Sequence, residues 1–243
     1  MSPQDTPHPD RVARPTRLGD VLRYLRRHGV RRTLSRVPER YIYGTQDFVI
    51  TRVALQGPPV PDHVGDVRLR AATPSDLARL DALERYGGLP AAVLRGYVED
   101  GNWLFVAVVG DRVIAARITG PTIPAHLLTA KVLKLGRHQA WDEDMFCLPE
   151  YRGKGIARNL SLFSDRYMAS LGYTEAFATI STGNIPSLRM QLHKGSEFAY
   201  HVSYRRVLFL ERFRVSRDVP SGTPGTEVLR LLPTWRGPDN TAA

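Results

Sequence analysis

At 243 residues with 42% apolar composition, the chain can hold one sizeable domain with appendages and can fill its core. It has no apolar run long enough to span a bilayer, and its arginine-rich N-terminus has no uninterrupted apolar stretch of the kind a secretion signal requires; these exclude a membrane-spanning class and point to a soluble, cytoplasmic protein. One cysteine rules out an internal disulfide, and most of the +10 charge lies between Arg11 and Arg40, where ten arginines face Asp20 and Glu39.

Residues 1–16 carry four prolines among polar residues and predict no packed structure. From Arg17 the pattern turns helical, with Leu18, Val21, Leu22 and Leu25 on one face and Gly29 as the stop. A second helix is expected from Val30 to about Arg40. Tyr41 to Leu55 alternates weakly and is expected as a strand joining the arm to the body, before the linker Gln56 to Pro61. Residues 1–60 therefore read as a basic helical arm and linker, with residues 11–40 available to an anionic surface or an acidic partner. The main domain is expected over residues 61–215, and residues 216–243 read as a loose tail.

Within the main domain, Asp66 to Ala72 alternates as a half-buried strand. Thr73-Pro74-Ser75-Asp76 then reads as a helix start, with Thr73 capping and Pro74 in the first turn, and Leu77, Leu80 and Leu83 continue the helix. Leu89 to Tyr97 predicts a short helix. Trp103 to Val109 and Val113 to Thr119 form a hairpin about Gly110-Asp111-Arg112. A less regular stretch follows, Pro121 to His138, with a helix expected from Ala125 to Leu135. The next strand, Asp142 to Leu148, has an acidic lead-in and stops at Pro149. A loop containing Arg152-Gly153-Lys154-Gly155 opens an amphipathic helix, Ile156 to Leu171. A strand from Thr174 to Ser181, a helix opening at Asn184 and a closing strand from Val202 to Leu210 complete the series.

The strand, loop and helix around Gly153 and Gly155 carry the first chemical signal. Two glycines flanking Lys154 let the main chain approach a ligand closely. The first N–H groups of the following helix lack intrahelical partners and carry the positive end of its dipole. Phosphate or pyrophosphate fits such a place, with Arg152 and Lys154 beside it. A Walker A string is absent, and a dinucleotide fingerprint would need Gly or Ala where Arg158 stands.

What remains is Arg-x-x-Gly-x-Ala, Arg152 to Ala157, after the lead-in Glu143-Asp144-Met145-Phe146-Cys147-Leu148-Pro149-Glu150-Tyr151. It resembles the pyrophosphate loop of the GNAT superfamily of acetyl-CoA-dependent N-acetyltransferases, closest in motif to the small-amine acetyltransferases. The opening Ala72-Thr73-Pro74-Ser75-Asp76-Leu77 resembles the first strand and helix of GNAT domains. Asn184-Ile185-Pro186-Ser187 resembles the second GNAT signature, Asn-x-x-Ala/Ser. The resemblance implies an α/β fold with one GNAT-like mixed sheet, its central parallel strands, Asp142 to Leu148 and Thr174 to Ser181, splayed apart. It implies acetyl-CoA as co-substrate, held by Cys147, Leu148, Arg152, Gly153, Lys154, Gly155, Ile156, Ala157, Asn184 and Ser187. A plain helix cap is the competing role for Asn184.

Acetyl transfer to an amine needs a proton acceptor, because an ammonium with a pKa near about 10.4 has no lone pair at neutral pH. By resemblance to the Glu-Asp pair of small-amine acetyltransferases, Glu143 is the expected base, with Asp144 second. Strand alternation puts Glu143 on the side of Met145 and Cys147, and Asp142 and Asp144 on the side of Phe146 and Leu148. The Cys147 N–H is the expected donor to the developing oxyanion. Many family members have a tyrosine seven residues after the signature Asn; here that position is Gln191, which has no labile proton to give. No metal site is expected. The acceptor is read as a polyamine, an aminosugar or a similar amine. The alternatives are a catalytically weak CoA-binding regulator acting through the basic arm, and an acyltransferase using longer acyl-CoA or acyl carrier protein donors.

Overall fold

The computed structural model describes residues 43–58, 60–80, 83, 88–125, 127–207, 210–217, 219 and 223–231; both helices expected in the arm lie outside them. The described chain falls into two units, residues 47–202 with 215–231, and residues 43–46 with 203–214. Its strands are β1 Tyr43–Ala54, β2 His63–Val64, β3 Val67–Ala71, β4 Trp103–Val109, β5 Arg112–Gly120, β6 Gln139–Cys147, β7 Glu175–Ser181, β8 Glu197–Val207 and β9 Leu210–Ser216. The helices are α1 Pro74–Leu77, α2 Ala91–Glu99, α3 Ile156–Ser170, α4 Ile185–His193 and α5 Thr226–Leu229.

In the larger unit the strand order is β2-β3-β4-β5-β6-β7-β1-β8. From β2 to β6 each neighbouring pair is antiparallel, β6 and β7 run parallel, and β1 pairs antiparallel with β7. A parallel pair needs a crossover, and α3 supplies it. Adjacent residues of β6 sort the layers. Trp141 meets Tyr97 of α2 edge to face, ring centroids 6.0 Å apart, while its neighbours Ala140 and Asp142 turn to the opposite face, where Ala140 packs with Met168 of α3. Phe105 of β4 packs against Phe163 and Tyr167 of α3 on that same face. In the smaller unit the Tyr204 hydroxyl donates to Glu211 (2.9 Å) and the Tyr204 ring lies 5.0 Å from that of Phe213.

Helix α1 starts as the sequence predicts but ends at Leu77; Ala78 to Leu80 form a turn, so the expected continuation through Leu80 is not made. The Asp76 carboxylate accepts from the Thr73 amide and hydroxyl, both at 2.7 Å, and pairs with the Arg70 guanidinium. Burial alone would raise the Asp76 pKa, but Arg70 and Thr73 outweigh it and hold the carboxyl below its ordinary value. A lowered folded pKa contributes stability that is complete above the ordinary carboxylate range, near about 4, and is lost as pH falls through the folded value. Asp76→Asn should therefore lose about 2–4 kcal/mol at pH 7. In urea titrations its deficit relative to the parent should shrink as pH drops below about 4.

The strand expected within Tyr41 to Leu55 forms, and it belongs to the sheet: β1 pairs with β7 from Phe48 opposite Ser181 to Ala54 opposite Glu175, and Phe48, Val49, Ile50, Thr51 and Val53 are buried. Its alternation is weak because residues on both of its faces are covered. The tail is partly packed, since Val219, Val228 and Leu229 bury themselves with Val49, Ala178, Ile180 and Leu188. The helix expected from Ala125 to Leu135 is reduced to a single 3₁₀ turn, Leu128–Lys131. Thr129 of that turn donates its hydroxyl to Thr179 of β7 at 3.0 Å, so tertiary contact overrides the local pattern.

Candidate functional site

The parallel ladder between β6 and β7 is short. It runs from Gln139 opposite Glu175 to Asp142 opposite Ala178 and stops there, although β6 continues to Cys147 and β7 to Ser181. The sheet is thus forked beyond Asp142, as the splayed-strand expectation requires. On its other side β6 stays paired with β5, with one irregularity: Ile118 faces Glu143, Arg117 faces Met145, and Asp144 is left without an opposite residue. This is a β-bulge at the mouth of the fork.

The bulge overturns the expected sorting of side chains. Arg117 and Ile118 point to opposite faces, so their partners Met145 and Glu143 do too. Glu143 shares the face of Trp141 and Phe146, toward α2, and is half-buried there. Asp142, Met145 and Cys147 share the face toward α3. Simple alternation fails because it assumes no inserted residue. The Leu128–Lys131 turn, tied to Thr179, lies on the same face as Glu143, since Thr179 shares its side with Phe177, the partner of Trp141.

Main-chain direction at the end of β6 follows from two bonds. The Leu148 N–H donates to Ile114 O of β5 at 2.9 Å. By alternation the N–H and C=O of Cys147 point away from β5, and the Cys147 carbonyl accepts from Arg152 Nε at 3.0 Å. The Arg152 guanidinium also lies over the Phe146 ring, 5.6 Å from its centroid. Leu148 is fully buried and its amide is taken up by β5. The buried Cys147 thiol is pushed above its ordinary pKa by burial, against a weaker opposite pull from Arg152; it is a poor nucleophile.

Gly153 and Gly155 both adopt left-handed backbone, φ 75° and 76°. Nothing lies within 4 Å of a Cβ built at Gly153, and at Gly155 the nearest atom is Asn159 Nδ2 at 3.5 Å. The backbone angle, rather than crowding within the chain, therefore asks for glycine. Gly155 caps α3, whose first internal bond is Asn159 N–H to Gly155 O at 3.0 Å, so the N–H groups of Ile156, Ala157 and Arg158 precede the helical ladder. Lys154 is exposed, its Nζ 5.1 Å from the centre of the Tyr151 ring. Open loop, helix amides and a nearby cation suit a pyrophosphate, and the fork suits an extended, amide-bearing tail.

Asn184 caps α4, its carboxamide oxygen accepting from the Ser187 N–H at 3.3 Å. The plain cap role is therefore realised, and it engages the Asn184 carboxamide oxygen. Gln191 is buried and its Oε1 accepts from the Ser196 hydroxyl at 2.7 Å, a structural bond where many family members carry tyrosine. Among the described residues no group of three or more His, Cys, Asp or Glu could hold a metal, and no helix is long and apolar enough to cross a membrane.

One cluster escaped the sequence reading. Arg117 of β5, Asp142 of β6, Asp165 of α3 and Lys194, which follows α4, bury their charged ends together. Arg117 Nε donates to Asp142 Oδ1 at 2.7 Å, and its Nη2 pairs with Asp142 and reaches Asp165 at 3.2 Å. Lys194 Nζ stands 2.9 Å from Asp165 and 3.6 Å from Asp142. Burial by itself would lower the Arg117 pKa; Asp142 and Asp165 reverse that and hold it above its ordinary value. The available signal was a charge inside an apolar pattern: Arg117 in the run Val113 to Thr119, and Asp165 on the buried stripe of α3.

A mixed sheet split between parallel strands, with a double-glycine loop leading from the split strand into a helix, defines the GNAT architecture, whose members use acetyl-CoA as donor. Residues 75–193, just under half of the chain, match the model described as the acetyltransferase (GNAT) family. Among solved structures it is similar to a Drosophila protein (15% identity, 77% of this chain, 58% of that chain, TM-score 0.51). It is also similar to the GCN5-related glucosamine N-acetyltransferase region of a fungal multi-domain β-N-acetylglucosaminidase (19% identity, 72% of this chain, 22% of that chain, TM-score 0.51). A GNAT-family putative acetyltransferase from Novosphingobium aromaticivorans aligns over 66% of this chain and 63% of its own, at 15% identity and TM-score 0.48. The chain thus spans less than two thirds of each of these three. A comparison with curated protein sequences finds no match.

Proposed function

We propose that the chain is an N-acetyltransferase that moves an acetyl group from acetyl-CoA directly to a primary amine of a small molecule, a polyamine, aminosugar or similar. The observation that carries this reading is the fork beyond Asp142 coupled to the open double-glycine loop. Bound there, the donor supplies an activated thioester. The chain's own residues do the rest. The amides from Gly153 to Ala157, with Lys154, hold the diphosphate, and Arg152 braces the strand end by its bond to the Cys147 carbonyl. Asn184 and Ser187 border the tail, and the Cys147 N–H, turned away from β5, donates to the oxygen that gains charge.

Glu143, on the α2 face beside the turn that holds Thr129, takes the proton from the ammonium. Asp144, the bulged residue, is the second candidate. The departing thiolate has no tyrosine at Gln191 to protonate it, and this favours one alternative specifically: a CoA-binding regulator with little turnover. Thiol release from acetyl-CoA across a panel of polyamines, aminosugars and other primary amines separates the two. Turnover with at least one amine is the expected result. CoA binding with no turnover on any amine would establish the regulator instead.

A further inference from the structure

The buried quartet of Arg117, Asp142, Asp165 and Lys194 lies where the sheet divides. Asp142 is the last β6 residue paired with β7. Arg117 is the residue at which the β5 to β6 register shifts. Asp165 comes from α3, which joins the two branches of the fork. Lys194 comes from the end of α4, whose Leu188 packs with Ala178 and Ile180 of β7. One charge therefore comes from each of the two strands on one branch, one from the connecting helix, and one from the helix on the other branch.

Stability alone does not explain such a cluster. A buried ion pair is often replaceable by apolar residues without loss, because desolvating the charges offsets their attraction. What charged groups provide is position, since two cations and two anions at 2.7–3.6 Å tolerate little displacement. Position matters here because the facing edges of β6 and β7 beyond Asp142 carry backbone groups with no mutual ladder, and two parallel strands would otherwise keep pairing. Extending the ladder or slipping its register would carry Asp142 away from both cations.

We infer that the quartet sets where the fork opens, and that Asp165 and Lys194 are positioning residues for the strand bearing Glu143 and Cys147. The use of the fork rests on the proposed function; the positioning itself does not. The test is the double variant Asp165→Leu with Lys194→Met, which removes one buried cation and one anion and leaves the Arg117 to Asp142 pair neutral as a whole. It should fold with a melting temperature close to the parent's. Amide hydrogen exchange over residues 143–148 should rise at least about tenfold while that of residues 160–168 in α3 stays unchanged, and CoA should bind at least about tenfold more weakly.

Unchanged exchange over residues 143–148, or a rise no larger than that in α3, would overturn the inference. Should the double variant not fold, Asp165→Glu, which keeps the charge and displaces it by one methylene, is read in the same way: a rise confined to residues 143–148 supports the inference, and parental exchange overturns it. If the parent itself fails to bind CoA, the acetyltransferase reading falls, while the exchange comparison still decides the role of the quartet.

Discussion

Glu143→Gln is expected to lower kcat at pH 7 by about 10²–10⁴-fold, the usual contribution of a positioned general base. The KM for acetyl-CoA should change little, because Glu143 lies on the face toward α2 and away from the loop at Gly153 and Gly155. The pH profile is the sharper readout. Without a base, only amine that is already neutral reacts, so kcat/KM for the amine should climb about tenfold per pH unit until the amine's own pKa, near about 10. The parent's dependence should be much flatter over the same range. A variant with parental rate and profile would transfer the role to Asp144 or to uncatalysed loss of the proton before binding.

Gly155→Ala should weaken CoA binding by about tenfold or more. The new Cβ meets only ordinary contact, Asn159 Nδ2 at 3.5 Å, so the effect comes from the φ of 76°. An L-residue in the left-handed region costs about 1–2 kcal/mol, and the loop relieves that by rotating the amides that form the cradle. About 1.4 kcal/mol of lost binding is tenfold in Kd. The control is Gly172→Ala, at φ 90° just past the other end of α3 with nothing within 4 Å of its Cβ. It should lower the melting temperature by a similar few degrees and leave CoA affinity at the parental value. Equal affinity losses in both variants would show general loosening of α3, and the double-glycine loop would lose its assigned role.

Gln191 bears on the first of these experiments. Its side chain is committed to Ser196 inside the fold, so the position that often supplies a proton to the leaving thiolate serves packing instead. A panel in which turnover is slow yet dependent on Glu143 would fit this arrangement: proton removal from the amine intact, and the thiolate departing without help.

The sequence by itself determined the elements whose signals are local. The left-handed glycines, the open start of α3, the start of α1 at Thr73 and Pro74, and the apolar hairpin of β4 and β5 depend on residues within a few positions of one another, and each stands where the pattern put it. Tertiary structure decided whatever depends on pairing across distance. The bulge at Asp144 exists only in register with Arg117 and Ile118, and by inserting one residue it moved Glu143 to the face opposite Met145 and Cys147. β1 joined the sheet because β7 offered an edge, which its own weak alternation does not announce. Arg117, Asp142, Asp165 and Lys194 lie up to 77 positions apart, counting from 117 to 194, and only the convergence of two strands and two helices turned four charges scattered along the chain into one buried, mutually neutralising group.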